Sequence, residues 1–261
     1  MLSIISLGAG VQSTTMALMA AHGEINPMPD CAIFADTQWE PKAVYEHLEW
    51  LCQILPFPVR HVTAGDLRQA TIDRGKSSSG RVAAIPWHMR MPNGDAAMGR
   101  RQCTKEYKLR PIQKKIVELL GGRPKGGAEL WIGISVDEVL RCKPSLVGYV
   151  INRWPLIEQR LNRNDCLKWL ERSGYPQPPK SSCIGCPYHN DSQWRELRDH
   201  SPDEWLDAID IDKAIRCQPG FKGQQFMHRS LKPLADVDLS TLEDHGQLNL
   251  FNNECEGMCG V

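Results

Sequence analysis

Hydrophobic residues in the first two thirds of the chain form short runs that alternate with amphipathic stretches. The runs at residues 2–7, 31–35, 59–62 and 129–134 are short and continuous, which is typical of buried strands. Residues 13–22, 43–55, 109–120 and 165–172 instead have the composition or the apolar spacing of helices. Strands that alternate with helices predict a parallel sheet with crossover helices.

The character of the sequence changes after residue 175. Three prolines between residues 176 and 179 lead into Cys183-Ile184-Gly185-Cys186, and short helices and loops are expected beyond them. We therefore predict a Rossmann-like α/β domain over residues 1–175, with helices on both faces of its sheet, and a small cysteine-bearing region over residues 176–261. Residues 75–99 have weak periodicity, and most of them are predicted to form a mobile loop beside a site.

Composition and charge narrow the function classes. The chain has 261 residues, and its 31 Lys and Arg balance 31 Asp and Glu, which excludes histone-like binding to nucleic acid but leaves room for a local basic face. No apolar run approaches the roughly 20 residues of a membrane span, and no signal peptide is expected, so a cytoplasmic location is predicted. Ten cysteines in such a chain favour metal, cluster or thiol chemistry over disulfides.

A glycine turn joins the first predicted strand to the first predicted helix. Residues 8–10 are Gly-Ala-Gly, and the hydroxyls of Ser13 and Thr14 follow in the first helical turn. Backbone N–H groups in such a turn, with a helix dipole behind them, form an anion site. The segment is not a Walker A loop, since it lacks Gly-Lys-Ser/Thr. The alternative is a tight strand-to-helix turn without a ligand.

Five segments in order resemble one enzyme family. Gly8-Ala9-Gly10-Val11-Gln12-Ser13 resembles the Ser-Gly-Gly-x-x-Ser signature of the PP-loop ATP pyrophosphatase (adenine nucleotide alpha hydrolase) superfamily, although Gly8 replaces the first Ser. Val11-Gln12 replaces the usual Lys-Asp, which is closer to the phosphoadenylylsulfate (PAPS) reductase branch. The other segments that resemble this branch are Phe34-Ala35-Asp36-Thr37-Gln38, Arg101-Gln102-Cys103-Thr104 through Lys108, Gly133 through Arg141, and Arg153 through Glu158 followed by Ser182-Cys183-Ile184-Gly185-Cys186-Pro187.

The resemblance implies an ATP site with Mg2+ at the carboxyl ends of the strands. Its expected ligands to the nucleotide are Ser6, Gly8, Gly10, Gln12, Ser13, Thr14, Asp36, Thr37, Gly133, Asp137 and Glu138, and its expected catalytic residues are Ser13, Asp36 and Arg141. Carboxylates at strand ends suit Mg2+. Two structural alternatives stay open: Asp137 caps a helix, and Arg141 forms an ion pair with Glu138 three residues earlier.

Basic residues cluster around the same segments. Residues 100–115 contain seven basic side chains and one acid, and with Arg141, Lys143, Arg153, Arg160 and Arg163 they suggest a basic rim. Such a rim suits pyrophosphate or a nucleic-acid backbone, whereas Lys114 and Lys115 are better explained as a solvated helix face. Residues 191–212 contain eight acids against two arginines, which accounts for the neutral total.

The cysteines fall into two groups. Cys31 and Cys52 are predicted to lie in the core. Cys183 and Cys186 form half of a metal site, and Cys103, in its Cys-Thr segment, is the best third ligand. The resemblance implies a 4Fe-4S cluster on these residues, with Cys255 as a fourth ligand or as a carrier of sulfur. Zinc and a redox dithiol are the alternatives.

These expectations combine into one function with three rivals. We predict an ATP pyrophosphatase that adenylates a nucleic acid for sulfur insertion, with DNA phosphorothioate modification favoured and a cysteine desulfurase as the sulfur donor. The rivals are a tRNA thiolation enzyme, a thioredoxin-coupled reductase of adenylylated sulfate that uses Cys255, and a non-catalytic nucleotide-binding subunit. Related enzymes are often dimers, so a homodimer is also an expectation.

Overall fold

The computed structural model describes residues 1–74, 85–241, 244 and 246, and it divides them into two units. The first unit holds residues 1–64 and 107–181. The second holds the described parts of 65–106 and of the chain from residue 182 onward. The boundary after residue 181 is six residues beyond the predicted boundary, and residues 65–106, which belong to the predicted first domain, group with the second unit.

Strands and helices are numbered in chain order over the described residues. The strands are β1 (Leu2–Leu7), β2 (Cys31–Asp36), β3 (Val59–Thr63), β4 (His88–Arg90), β5 (Ala96–Met98), β6 (Ala128–Ile132), β7 (Val150–Arg153) and β8 (Gln224–Phe226). The α-helices are α1 (Val11–Ala21), α2 (Lys42–Ile54), α3 (Leu67–Ile72), α4 (Arg110–Leu119), α5 (Pro155–Glu158), α6 (Arg163–Arg172), α7 (Asp191–His200) and α8 (Pro202–Ile215). A π-helix (Thr104–Leu109) precedes α4, and 3-10 turns lie at Val136–Arg141 and Leu234–Asp236.

The first unit is built on a parallel five-stranded sheet with the order β3-β2-β1-β6-β7. Ile5 of β1 pairs with Ala32 on one side and with Trp131 on the other. The chain therefore builds outward from β1 through β2 to β3, and later returns to the opposite side of β1 through β6 and β7. This arrangement confirms the predicted α/β, Rossmann-like sheet.

Alternate strand residues supply two cores, one on each face of this sheet. Ile5 and Phe34 pack with α1, α2 and α6, whereas Ile4, Ile33 and Leu130 pack with α4. Strand side chains alternate between faces, so near-continuous apolar runs are what a sheet covered on both sides requires. Each fully buried side chain of this size contributes about 1.5–3 kcal/mol.

The second unit contains an antiparallel sheet with the order β5-β4-β8, together with α3, α7 and α8. The strands β4 and β5 form a hairpin within residues 85–99, so the predicted loop over this part is wrong. Residues 75–84 of the predicted loop lie outside the described residues. Three-residue strands leave too short a pattern to recognise in a sequence. None of the helices described is long and apolar enough to cross a membrane.

Candidate functional site

The strand order places a crevice between the carboxyl ends of β1 and β6. The connections leave these two neighbouring strands toward opposite sides of the sheet. Open α/β sheets bind their ligands at such a point, beyond the carboxyl ends of the strands. The candidate site is therefore formed by the segments that follow these two strands, residues 8–13 and 133–141.

The turn after β1 has the geometry of an anion cradle. Ala9 has a positive φ of 54°, Gly10 is extended, and α1 begins at Val11 with no side chain of the described residues capping it. The Ser13 hydroxyl accepts from the Gly8 N–H at 3.2 Å and donates to the Gly10 carbonyl at 3.3 Å. Ser13 thus shapes the turn, while the first N–H groups of α1 have no partner within the helix. Such groups and the helix dipole favour phosphate.

Gly133 and Ser181 pack closely against this turn, and a side chain at Gly133 would collide with its backbone. A Cβ on Gly133 would lie 2.9 Å from the Ser13 nitrogen, and a Cβ on Gly10 would lie 3.1 Å from the Ser181 Cβ. The Ser181 hydroxyl also donates to the Gly8 carbonyl. Sequence reasoning missed Ser181, although it lies two residues before the Cys183 motif. The result is a turn whose shape is fixed from both sides.

A polar network joins the first turn of α1 to the segment after β6. The Gln12 amide nitrogen donates to Glu138 Oε2 at 3.1 Å, and the Arg163 guanidinium donates to Gln12 Oε1 at 2.9 Å. Glu138 also forms an ion pair with Arg141, which is the structural alternative that the sequence left open. Asp137 accepts from the Arg163 backbone N–H at 3.2 Å and so supports the start of α6. Roles for these residues toward a nucleotide remain predictions.

A second polar group lies at the carboxyl end of β2. Asp36 Oδ1 accepts from the Gln38 N–H at 2.7 Å and from the Tyr45 hydroxyl at 2.8 Å. Burial, followed by the hydrogen bond to Asp36, raises the pKa of Tyr45 above its usual range. This bond keeps the Tyr45 proton in place and leaves Asp36 as an acceptor of two hydrogen bonds.

Glu40 completes this group and was not predicted from the sequence. It is 4% exposed, and its Oε1 accepts from the Thr37 hydroxyl at 3.1 Å and lies 3.3 Å from Lys108 Nζ. Lys108 belongs to the π-helix. Helices of this type are rare in proteins, and those that occur are often found at functional sites. A carboxylate four residues after Asp36 was the only signal available in the sequence.

Two of the predicted nucleotide ligands, Thr14 and Ser6, lie in the core and within a strand of the sheet, respectively. Thr14 is fully buried, and its hydroxyl lies 3.0 Å from Nε2 of His47 on α2. This hydroxyl therefore joins two helices in the core. Burial lowers the pKa of His47 to about 4, so His47 is neutral at pH 7. Ser6 lies within β1, paired with Ile33 and Ile132.

Some of the predicted basic rim serves the fold. Arg153 pairs with Glu158 at 2.7 Å and with Glu129 at 3.4 Å, and it stacks over the Trp131 ring at 4.6 Å. Lys115 pairs with Glu118 on the surface of α4, in line with its predicted solvated face. Arg141, Arg163 and Lys108 are basic side chains that reach the polar groups around the crevice and β2.

The described cysteines do not form the predicted metal centre. No group of three His, Cys, Asp or Glu side chains among the described residues is arranged to hold a metal ion. Cys183 and Cys186 lie on one tight turn, closed by the Cys186 N–H donating to the Cys183 carbonyl at 3.0 Å. Cys103 is half-buried, and Cys255 lies outside the described residues. The three described cysteines therefore do not fit a 4Fe-4S cluster as they stand here.

The remaining cysteines are structural or solvent-facing. Cys31 and Cys166 are buried, and burial raises the pKa of the Cys166 thiol to about 12. The prediction of a buried Cys52 is wrong, because it lies on the exposed flank of α2 beside the buried Leu51. The eight described cysteines form no disulfide with one another.

Mg2+ needs a different test from a cluster. It is commonly held by one or two carboxylates together with substrate phosphates, and not by a cage of protein ligands. Among the described residues, the carboxylates of Asp36 and Asp137 each accept hydrogen bonds through one oxygen, Oδ1. Asp36 ends β2 and Asp137 follows β6, the two strands on either side of β1, and an Mg2+ site formed by them stays a prediction.

Comparisons with known proteins place this chain at a distance from them. No protein-family model matches the sequence, and no curated protein of similar sequence was found. Among solved structures, the chain is similar to a phosphoadenylyl-sulfate (PAPS) reductase from Candida auris in its phosphate complex, with 12% identity and a TM-score of 0.45, over 67% of this chain and 74% of that chain. It is also similar to the U34-tRNA thiolase NcsA from Methanococcus maripaludis with its 4Fe-4S cluster, with 12% identity and a TM-score of 0.42, over 90% of this chain and 79% of that chain.

Proposed function

We propose that this protein is an ATP pyrophosphatase that adenylates a nucleic acid for sulfur insertion, in DNA phosphorothioate modification. One observation carries the proposal: an uncapped helix follows a glycine turn at the switch point of a parallel sheet, and Gly133 and Ser181 hold that turn in shape. This combination suits a bound phosphate chain. The five sequence segments that resemble the superfamily add to it.

The residues around the turn have distinct roles in this proposal. The N–H groups that begin α1 donate to phosphate oxygens of ATP, and Gln12 and Arg163 stand beside them in one hydrogen-bonded network. Asp36 and Asp137 supply carboxylate oxygens for Mg2+. Arg141 leaves Glu138 to meet the developing charge, since a guanidinium matches phosphate oxygens well.

The proposed chemistry is a displacement at phosphorus. An oxygen of the nucleic acid attacks the α-phosphorus of ATP, the bond to the β-phosphate oxygen breaks, and pyrophosphate leaves. The outer sulfur of a persulfide on a cysteine desulfurase then attacks the adenylated phosphorus and displaces AMP. A second thiol reduces the resulting S–S bond, which releases the phosphorothioate and leaves a disulfide. The protein contributes mainly electrostatic stabilisation of the phosphoryl transition state. We route no step through a 4Fe-4S cluster, because the described cysteines do not form a group that fits one.

The first test is the identity of the nucleotide products. The protein, purified without oxygen, is incubated with Mg2+ and ATP labelled on the α-phosphate, alone and with DNA or tRNA, and with a cysteine desulfurase and cysteine. We expect AMP and pyrophosphate, with DNA giving the larger stimulation. Stimulation by tRNA alone would move the activity to RNA thiolation.

Two other outcomes would contradict the proposal. Formation of ADP and phosphate would place the cleavage at the wrong bond. Stabilisation by ATP without turnover, in the presence of every substrate and the desulfurase, would indicate a nucleotide-binding subunit. Ser13→Ala is the matched variant, because it removes the hydroxyl that joins Gly8 to Gly10 and leaves the backbone N–H groups in place.

A further inference from the structure

A cavity of about 470 Å3 lies in the second unit, at one end of the sheet formed by β4, β5 and β8. Residues 90–92 at the end of β4 and residues in the segment 217–224 that leads into β8 form its walls. This volume falls within the range of about 300–1,000 Å3 that is typical of small-molecule sites. None of the residues proposed to bind ATP lines it, so it is a second candidate site.

Positive charge dominates the walls of this cavity. Arg90 and Lys222 line it, and no Asp or Glu stands among its described lining residues. The Arg90 guanidinium is held in place, because it donates to the Leu231 carbonyl and lies 5.2 Å from the Phe226 ring centre. Lys222 is exposed. A cavity with cations and no carboxylates attracts an anion such as a phosphate.

An anchored aromatic ring lies beside these charges. Phe221 lines the cavity, and its ring meets the ring of Trp87 edge-on at 5.2 Å. Trp87 is 2% exposed, so it is a fixed support, whereas Phe221 is only half-buried. An aromatic face that is held from one side and reachable from the other suits stacking by a flat ring.

Gln218 forms a fixed part of the cavity wall. Its amide nitrogen donates to the carbonyls of Thr71 at 3.0 Å and Ile72 at 3.3 Å. Because two carbonyls only accept, they fix the nitrogen end of the amide and leave Oε1 as the remaining atom. Gln218 is 8% exposed, and Oε1 is buried without a hydrogen-bond partner among the described residues. The Gln218 amide is therefore held in place by the protein and closed to solvent.

We propose that this cavity binds one nucleotide of a single-stranded nucleic acid. The base stacks on Phe221, and the phosphates meet Lys222 and Arg90. Aromatic platforms combined with cations are how proteins hold single strands, whose bases are free to stack. The inference deepens the proposed function and rests on it for the role of nucleic acid as substrate, but the binding itself needs no ATP.

The test is the binding of short labelled oligonucleotides to the full chain without ATP. Fluorescence anisotropy is recorded with single-stranded DNA, single-stranded RNA and duplex DNA over a series of salt concentrations. We expect Phe221→Ala to weaken single-strand binding roughly 5- to 150-fold and Phe221→Trp to retain it. Lys222→Gln should lower the slope of log affinity against log salt by about 0.7. Lys232→Gln is the matched control, since Lys232 is exposed in the same unit and does not line the cavity.

Alkylation gives a second readout in the unaltered protein. Cys217 is exposed and lines the cavity, whereas Cys52 is exposed on α2 of the first unit. A bound oligonucleotide should slow the alkylation of Cys217 by a maleimide and leave that of Cys52 unchanged, as measured by mass spectrometry of peptides. This readout does not depend on a variant that fails to fold.

The outcomes separate this inference from the proposed function. Equal affinity of wild type, Phe221→Ala and Lys222→Gln, or duplex binding as tight as single-strand binding, would overturn the inference. Binding that depends on Phe221, without AMP formation, would support the cavity and contradict the pyrophosphatase. DNA-dependent AMP formation with no protection of Cys217 would support the pyrophosphatase and contradict the assignment of the cavity. The tighter of the DNA and RNA strands identifies the natural polymer.

Discussion

Gly133 is the residue at which the candidate site tolerates the least change. An alanine Cβ there would lie 2.9 Å from the nitrogen and 3.0 Å from the Cα of Ser13. These are backbone atoms of the first turn of α1, so they cannot swing aside as a flexible side chain does. We expect Gly133→Ala to lower ATP-dependent AMP formation about 10- to 100-fold and to cost about 1–3 kcal/mol of unfolding free energy.

Gly148→Ala is the matched control for this prediction. A Cβ at Gly148 meets no atom within 4 Å, so this variant should keep both activity and stability. Turnover of α-labelled ATP and urea unfolding measure the two quantities. Wild-type turnover in Gly133→Ala would show that the close approach of β6 to α1 is unnecessary for the reaction.

His47 gives the molecule a pH dependence at the level of one side chain. Its pKa falls from 6.5 to about 4 because burial disfavours the charged ring. The unfolded chain therefore binds one more proton than the folded chain between these two values, so stability falls as the pH drops from about 6.5 to 4. We expect this group to account for about 3 kcal/mol of that loss.

Urea unfolding between pH 7.5 and 4 measures this effect. The fall in unfolding free energy should be smaller by that amount in His47→Gln, while the exposed His61 offers His61→Gln as the control. An unchanged pH slope in His47→Gln would contradict the assignment.

Helices and strands were predictable from the sequence where their pattern of apolar residues is long enough to recognise. The strands β1, β2 and β3 and the helices α2, α4 and α6 lie within two residues of their predicted bounds, because each repeats its apolar period long enough to recognise. The strands β4, β5, β7 and β8 have only three or four residues each, and the π-helix has no propensity signature. In the site, the glycine turn was predictable from local sequence. Ser181 and Glu40 were not, since their roles depend on contacts set by the fold.

Asp212 joins three elements of the second unit and should control its stability. This carboxylate on α8 is 1% exposed, and it accepts from the backbone N–H groups of Met227 at 2.8 Å and Leu234 at 2.9 Å and pairs with Arg216. Asp212→Ala would leave the guanidinium and two N–H groups unsatisfied, so we expect a loss of about 3–5 kcal/mol.

Thermal and urea unfolding of Asp212→Ala test this prediction. Asp210→Ala removes an exposed carboxylate from the same helix and should change stability by less than about 0.5 kcal/mol. Similar stabilities of the two variants would show that the contacts of Asp212 contribute little.

Over the whole molecule, neutrality comes from regions of opposite sign and not from an absence of charge. Within the described structure, four of the eight acids of residues 191–212 form ion pairs with arginines: Asp191, Asp199, Asp207 and Asp212. The cavity at Arg90 and Lys222 has only basic charges among its described lining residues. A formal charge of zero is therefore compatible with a local nucleic-acid site.

The two candidate sites predict two separate footprints in amide hydrogen exchange. ATP with Mg2+ should slow exchange in residues 6–15 and 133–141. The effect should be largest at the first N–H groups of α1, because these have no acceptor within the helix and would donate to a bound phosphate. A single-stranded oligonucleotide should instead slow exchange in residues 217–226. At about 100 times its Kd, either ligand stabilises the state that it binds by about 2.7 kcal/mol, which amounts to roughly 100-fold slower exchange through opening of that state. Protection of residues 217–226 by ATP alone would mean that the cavity in the second unit holds the adenine nucleotide, and the assignment of the glycine turn as the phosphate site would then be wrong.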